Sequence, residues 1–423
     1  MKKRATLVGL LLAGYSLAVA AELSPEEKRV IAAVESRLPT FGTDLEKVVQ
    51  IDSVTENLAG VRQLGDYFVH EFQGLGFSAR FEPLPAATGR AGHFIAERTG
   101  GRGKHLLLIG HLDTVLPGGN FRREGDKVFG AGVADMKGGD LVILHALRAL
   151  NAVGALADTK ITVIFTGDEE SPGLPVETSR RLLHEAAQRA DLALAFESDI
   201  PGTATIARRG VTTWELEVQG PTGHASGIFA DPIGSGAVFE SARILTAFHD
   251  RIRELPGATL NPALMVGGVQ TSLDRTSGSV TGKSNIVAQQ VRVRGDLRYS
   301  SAGQLAEIRA RMEAALRDGF PRTSARLTFH DGGYPAMPPS AENEALLREL
   351  DQVSRDLGFG ALKAFDPRGR GAGDVSFVSP PLPALDGLGL GGTGEHTAAE
   401  AADLATAAPL IKRTALLIFR LTR

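Results

Sequence analysis

Leu106-Leu107-Leu108-Ile109, set between His105 and Gly110, restricts the fold of this chain more than any other stretch. Four consecutive aliphatics describe a strand buried on both faces, as in the middle of a mostly parallel sheet covered by helices. The strand runs into His111-Leu112-Asp113, where a period of two puts His111 and Asp113 on the same face. Open α/β sheets bind ligands beyond the carboxyl ends of their strands, so both groups stand where chemistry is expected. Acidic residues and a further His recur downstream after similar strands, which turns a lone polar pair into a pattern.

The elements around this strand alternate. Ser24-Pro25-Glu26-Glu27 is a capping box with Pro at the first helical position, opening a helix over 24–38. A second helix covers 61–75, and strands follow at 78–84 and 93–98. A helix over 140–151, a buried strand at 160–165, a helix at 177–188 and a strand at 191–196 continue an α/β layered region. After Gly210 the pattern changes: 211–219 alternates, with Trp214, Leu216 and Val218 on one face. A helix at 232–253, strands at 263–270 and 286–298, a helix at 302–318 and a strand at 325–330 follow. That order is a ferredoxin-like split unit. Residues 331–423 return to α/β character, with a helix at 342–357, a strand at 384–388 and an amphipathic helix from 399. The expected architecture is an α/β domain in two parts, 22–209 and 331–423, with a mixed, mostly parallel sheet between helices and an inserted α+β domain at 210–330.

The length of 423 residues suits two domains rather than one core. A net charge of -3 without blocks of like charge gives nucleic-acid binding little support. Residues 1–21 stand apart. Lys2, Lys3 and Arg4 precede an apolar run from Leu7 to Ala13, and Ala18-Val19-Ala20-Ala21 closes the segment. These are the three parts of a secretory signal peptide, with cleavage expected after Ala20 or Ala21. The apolar run is short and interrupted, which argues against a lasting membrane anchor. The mature protein is therefore expected in the periplasm or outside the cell. It has no cysteine, so any metal must be held by N and O ligands.

Five candidate ligands lie at strand ends or in adjoining loops: His111, Asp135, Glu170, Glu197 and His396. Two imidazoles and three carboxylates suit zinc, cobalt or manganese. Five are too many for one tetrahedral ion with an open position and enough for two ions if one carboxylate bridges, a role given to Asp135. In Glu169-Glu170, Glu170 is assigned to the metal and Glu169 to general acid/base work. Asp113 is placed behind His111, where it would fix the ring's tautomer. Gly387-Leu388-Gly389-Leu390-Gly391-Gly392 fits a dinucleotide fingerprint only formally, because no following strand-helix unit supports it.

The sequence resembles the two-domain, co-catalytic zinc exopeptidases, a group that includes glutamate carboxypeptidase, aminoacylase, acetylornithine deacetylase and succinyl-diaminopimelate desuccinylase. The matching pieces are GHLDTV (110–115), GAGVADMKGG (130–139), TGDEES (166–171), FESD (196–199), GHAS (223–226), SNIV (284–287), DLRY (296–299) and GTGEH (392–396). They run in the family order over nearly all of the mature chain. The resemblance implies two Zn2+ per subunit, with His111 and Glu197 on one, Glu170 and His396 on the other, and Asp135 between them. It implies Glu169 as general base for attack by a zinc-held hydroxide and Asp113 as orienter. The inserted domain would be a lid and homodimerisation module, lending His224 to the partner's site as an oxyanion donor. Asn285 and Arg298 match lid positions that bind a substrate carboxylate.

The implied activity is that of an exported di-zinc carboxypeptidase or dipeptidase cleaving an amide bond beside a free carboxylate. An N-acyl-amino-acid deacylase is the rival within the family. A catalytically silent periplasmic binding or scaffold protein would be expected to lack a ligand or the base, and this chain has both. One departure stands out: relatives that cleave C-terminal glutamate resemble one another in a Gly-Arg-Pro stretch, whereas this chain reads Gly333-Tyr334-Pro335. That departure argues against a preference for an acidic C-terminal residue.

Overall fold

A computed structural model describes residues 22–330 and 332–423. The expected signal segment, 1–21, lies outside the described residues. The organising strand is Arg102–His111. Leu106 and Leu108 pack into one apolar cluster and Leu107 and Ile109 into another, on the opposite face of the sheet. That two-sided burial is why the run carries no polar residue. The strand sits inside a six-stranded sheet ordered Ser78–Pro83, Gly92–Arg98, Thr159–Thr166, Arg102–His111, Leu192–Ala195 and Ala384–Leu385. The first two pairings are antiparallel and the remaining three parallel. The sheet is mixed and mostly parallel, as the sequence predicts.

Helix Lys137–Ala152 lies almost wholly buried against this sheet, beside Pro25–Glu35 and Ala407–Leu421. Its first turn sits hard against the end of the neighbouring strand. A Cβ on Gly139 would fall 2.0 Å from the Phe196 carbonyl oxygen, and one on Gly110 would fall 1.9 Å from Asp140 Oδ1. Gly139 thus lets the first turn of the helix approach the backbone that leads to Glu197, and Gly110 lets Asp140 of that turn approach the strand that ends at His111.

The second sheet is antiparallel and ordered Thr259–Gly268, Gln290–Tyr299, Gly210–Gln219 and Ser324–Phe329. With helices Gly236–Ile252 and Ala302–Ala315 it forms the ferredoxin-like unit around its own core, centred on Trp214, Phe248 and Val293. Trp214, Leu216 and Val218 are all fully buried.

Several expected boundaries move. The first helix stops at Glu35, and a second, Leu38–Val49, starts anew with Pro39 in its first turn. The expected 177–188 helix is two short ones, Val176–Ser179 and Arg181–Ala187, parted at Arg180. Gly234 and Gly236 take left-handed backbone, so the 232–253 helix begins only at Gly236. A hairpin, Gln270–Leu273 with Gly278–Thr281, follows directly on strand Thr259–Gly268. The last helix starts at Ala407 rather than 399, because Ala401–Asp403 pairs as a strand with Lys127–Phe129. No helix among the described residues is long and apolar enough to cross a membrane.

Candidate metal centre

The organising strand delivers His111 at its last residue, and the turns beyond neighbouring strands bring carboxylates to it. His111 Nε2 lies 3.1 Å from Asp135 Oδ1 and 4.0 Å from Glu197 Oε1. The other Asp135 oxygen, Oδ2, lies 3.0 Å from His396 Nε2, which is 3.2 Å from Glu170 Oε2. All five ligand candidates therefore meet around Asp135, one imidazole on each of its oxygens. His396 reaches the cluster from a backbone with positive φ.

Supporting contacts fix these groups. The Asp113 carboxylate is fully buried and accepts hydrogen bonds from Thr55 Oγ1 and from the backbone N–H groups of Glu169 and Glu170, at 2.7, 2.9 and 3.0 Å. Its main-chain carbonyl lies 3.0 Å from His111 Nδ1, closer than its carboxylate at 3.6 Å. Asp113 thus contacts His111 through the backbone and the Glu169-Glu170 turn through its side chain. Glu400, which the sequence reading passed over, accepts from the N–H groups of Gly132, Ala134 and Asp135 at 2.9, 3.0 and 3.0 Å. Nothing local marks Glu400. It lies in an alanine-rich stretch some 265 positions from its partners.

Tyr334 is also placed by structure alone. Arg180 is fully buried, paired with Asp168 and Asp374 at 2.6 and 2.7 Å, and its Nη2 donates to the Tyr334 hydroxyl at 3.0 Å. That hydroxyl in turn donates to the Glu169 carbonyl at 2.5 Å. Glu169 is held by its backbone on both sides, while its carboxylate makes no hydrogen bond or ion pair among the described residues.

The donor set fits a divalent metal. Glu170 Oε1 is buried with no hydrogen-bond partner among the described residues, and oxygens and an imidazole nitrogen of His111, Asp135 and Glu170 lie within 4.8 Å of one another. Burial, and then Asp135, push the Glu197 carboxyl up to about 8. Hydrogen bonds to Asp135 and Glu170 pull His396 up to about 11. Both shifts report crowded negative charge, which divalent cations with N and O ligands neutralise. The cluster opens on a cleft of about 320 Å³ whose wall also includes Glu169, Arg208 and Arg370.

None of the three lid residues is among those that line this cleft. His224 is exposed and its Nδ1 lies 2.8 Å from Ser226 Oγ. Exposed Asn285 is its neighbour through a backbone bond from Ala225. Arg298 is half-buried and pairs with Asp296 at 3.1 Å.

A family model for peptidase family M20/M25/M40 matches residues 107–420, about three quarters of the chain. The chain belongs to this family. It is a metal-dependent hydrolase of the peptidase and amidohydrolase type. As an M20 protein it is 26% identical over 401 residues to carboxypeptidase G2 of Pseudomonas sp. (strain RS-16), covering 93% of this chain and 91% of the relative. It is 25% identical over 389 residues to succinyl-diaminopimelate desuccinylase of Gluconobacter oxydans (strain 621H), covering 87% and 94%. The M20 fold is shared with the aminopeptidase PepT of Bacillus cereus ATCC 10987, at TM-score 0.73 and 19% identity over 91% of this chain and 99% of that one. It is shared too with the M20 metallo-carboxypeptidase Sso-CP2 of Sulfolobus solfataricus, at TM-score 0.66 and 16% identity over 90% and 99%.

Proposed function

We propose that this M20 protein is an exported di-zinc hydrolase that cleaves an amide bond beside a free carboxylate, as a carboxypeptidase or dipeptidase. The observation that carries the reading is Asp135 facing one imidazole on each of its two oxygens. His111 and Glu197 would hold one ion, Glu170 and His396 the other, and Asp135 both. When bound, the ions would polarise the scissile carbonyl and acidify a water.

The chain's own residues do the rest. Glu169, in the same cleft, takes a proton from the attacking water and returns it to the leaving amine. The Asp113 and Tyr334 contacts keep it at that place. His224, Asn285 and Arg298, carried in by the lid of a partner or of the same chain, would stabilise the oxyanion and bind the substrate's carboxylate. A homodimer through the lid is supported by its exposed edge strand Thr259–Gly268, where Met265 is 49% exposed, with Val238 and Phe239 exposed on helix Gly236–Ile252. Export is supported by the basic, apolar and small-residue sections of residues 1–21. An N-acyl-amino-acid deacylase remains the second reading, favoured by the likeness to desuccinylases.

The test is elemental analysis of the purified mature protein alongside hydrolysis of dipeptides and N-acyl amino acids. About two zinc ions per chain and turnover lost on chelation are expected. Glu169→Gln should keep its metal and lose roughly 10²- to 10⁴-fold in kcat. A protein that takes up no zinc, cobalt or manganese and turns over nothing would instead be a silent binding protein.

A further inference from the structure

Asp140 is a buried acid that the ligand set and the general base leave unused. It stands in the first turn of helix Lys137–Ala152 and is fully buried. The space over Gly110 that a side chain would fill is taken by its Oδ1 and by the Phe165 ring, 1.9 and 2.9 Å from where a Cβ would lie. Neither carboxyl oxygen has a hydrogen-bond or ion-pair partner among the described residues. Lys137, a buried cation in the same turn, is spent on the Val48 and Ile51 carbonyls at 3.1 and 2.8 Å. Asp113 makes the contrast, since it is equally buried and three donors meet its carboxylate. Burial raises the Asp140 carboxyl well above the usual carboxylate range, a shift that His111 opposes and Glu197 adds to.

A buried acid without donors costs stability that positive charge close by offsets. Its place decides where that charge comes from. Gly110 precedes His111, and the Asp140 N–H donates at 3.0 Å to the carbonyl of Met136, the residue after Asp135. Gly139 packs on the carbonyl of Phe196, which precedes Glu197. The carboxyl thus sits where three backbones meet that each carry a candidate ligand, at a helix N-terminus that favours negative charge. Two divalent ions held by Asp135, Glu170 and Glu197 would keep a net positive charge, felt farther in a dry interior than in water. Resting on the reading of the cluster as a two-metal site, we propose that Asp140 is the buried counter-charge of that centre. Metal loading and the packing of helix Lys137–Ala152 on the central strand then stabilise each other, and the metal-free protein carries the cost of an acid without a partner.

Asp140→Asn keeps the shape and removes the charge, so zinc affinity and stability in this variant test the proposal without an activity assay. In competition with a chromophoric chelator it should bind zinc about 10- to 100-fold more weakly than wild type, the range for groups behind metal ligands. In urea denaturation the metal-free variant should be at least as stable as metal-free wild type. Its gain in urea midpoint on adding a fixed excess of zinc should be smaller, because weaker binding stabilises the fold less. A side chain that only fills space would change stability equally with and without zinc and leave the affinity intact, which overturns the proposal. Asp140→Ala removes the charge without burying an amide and should show the same loss of affinity. Full affinity in either variant overturns the proposal, as does failure of both to fold with or without zinc. Wild type that binds zinc no better than Asp140→Asn removes this inference alone and leaves the two-metal reading standing. Wild type that binds no zinc, cobalt or manganese removes both.

Discussion

At the scale of single residues, the candidate ligands are legible in the sequence and their supports are not. His111, Asp135, Glu170, Glu197 and His396 follow strand ends and sit in short glycine-flanked stretches, so their type and setting announce chemistry. Glu400 has no such setting, yet its carboxylate holds three N–H groups of the loop that carries Asp135. Without that carboxylate the loop loses the anchor that sets the Asp135 position. Glu400→Gln should weaken metal binding by about 10- to 100-fold, the range seen when groups behind metal ligands are lost. Competition with a chromophoric chelator reads this directly, and unchanged affinity would show that the loop holds itself. Asp113 shows the same limit, since its type was legible but the choice between its carboxylate and its carbonyl as the contact to His111 was not.

At the scale of elements, close packing positions the site. The first turn of helix Lys137–Ala152 touches the backbone at Phe196 across Gly139, so Asp135 and Glu197 share one rigid joint. Gly139→Ala would push them apart. It should cost about 1–3 kcal/mol in urea denaturation, typical of overpacking, and lower the zinc content as well. A stability loss with full metal content would separate joint from site. Away from the site, Asp44 in helix Leu38–Val49 ties that helix to His145 and Arg148 of helix Lys137–Ala152. Burial opposes its charge, but hydrogen bonds from His145, Arg148 and Lys47 outweigh burial and hold its carboxyl well below the usual range. A depressed carboxyl stabilises the fold above its unfolded pKa of about 4, and this is lost as pH falls through the folded value. Asp44→Asn should therefore be less stable than wild type near neutrality, and the gap should narrow below about pH 4. A gap that is constant with pH would mean that Asp44 acts without its charge. The helix carrying Asp44 was not foreseen, because its pattern runs on directly from the first helix and only Pro39 separates them.

At the scale of the whole molecule, His224 does not line the cleft of its own chain, and exchange between subunits tests whether a partner supplies it. Mixed in equal amounts, the inactive variants His224→Ala and Glu169→Gln should regain activity in about a quarter of sites if His224 acts across a two-fold dimer. No recovery after confirmed subunit exchange would restrict each site to its own lid. The sequence by itself determined the succession of strands and helices, the plan of an α/β domain with an inserted α+β unit and the set of candidate ligands, because burial on both faces, period-two alternation and strand-end chemistry are written in local spacing. Only the tertiary structure decided which side chain supports which. Glu400 under Asp135, Tyr334 under Glu169 and Arg370 on the Ser198 carbonyl depend on contacts between segments 160 to 270 positions apart. Such contacts leave no periodic trace, since they are set by how packed layers bring distant loops together rather than by any neighbour along the chain.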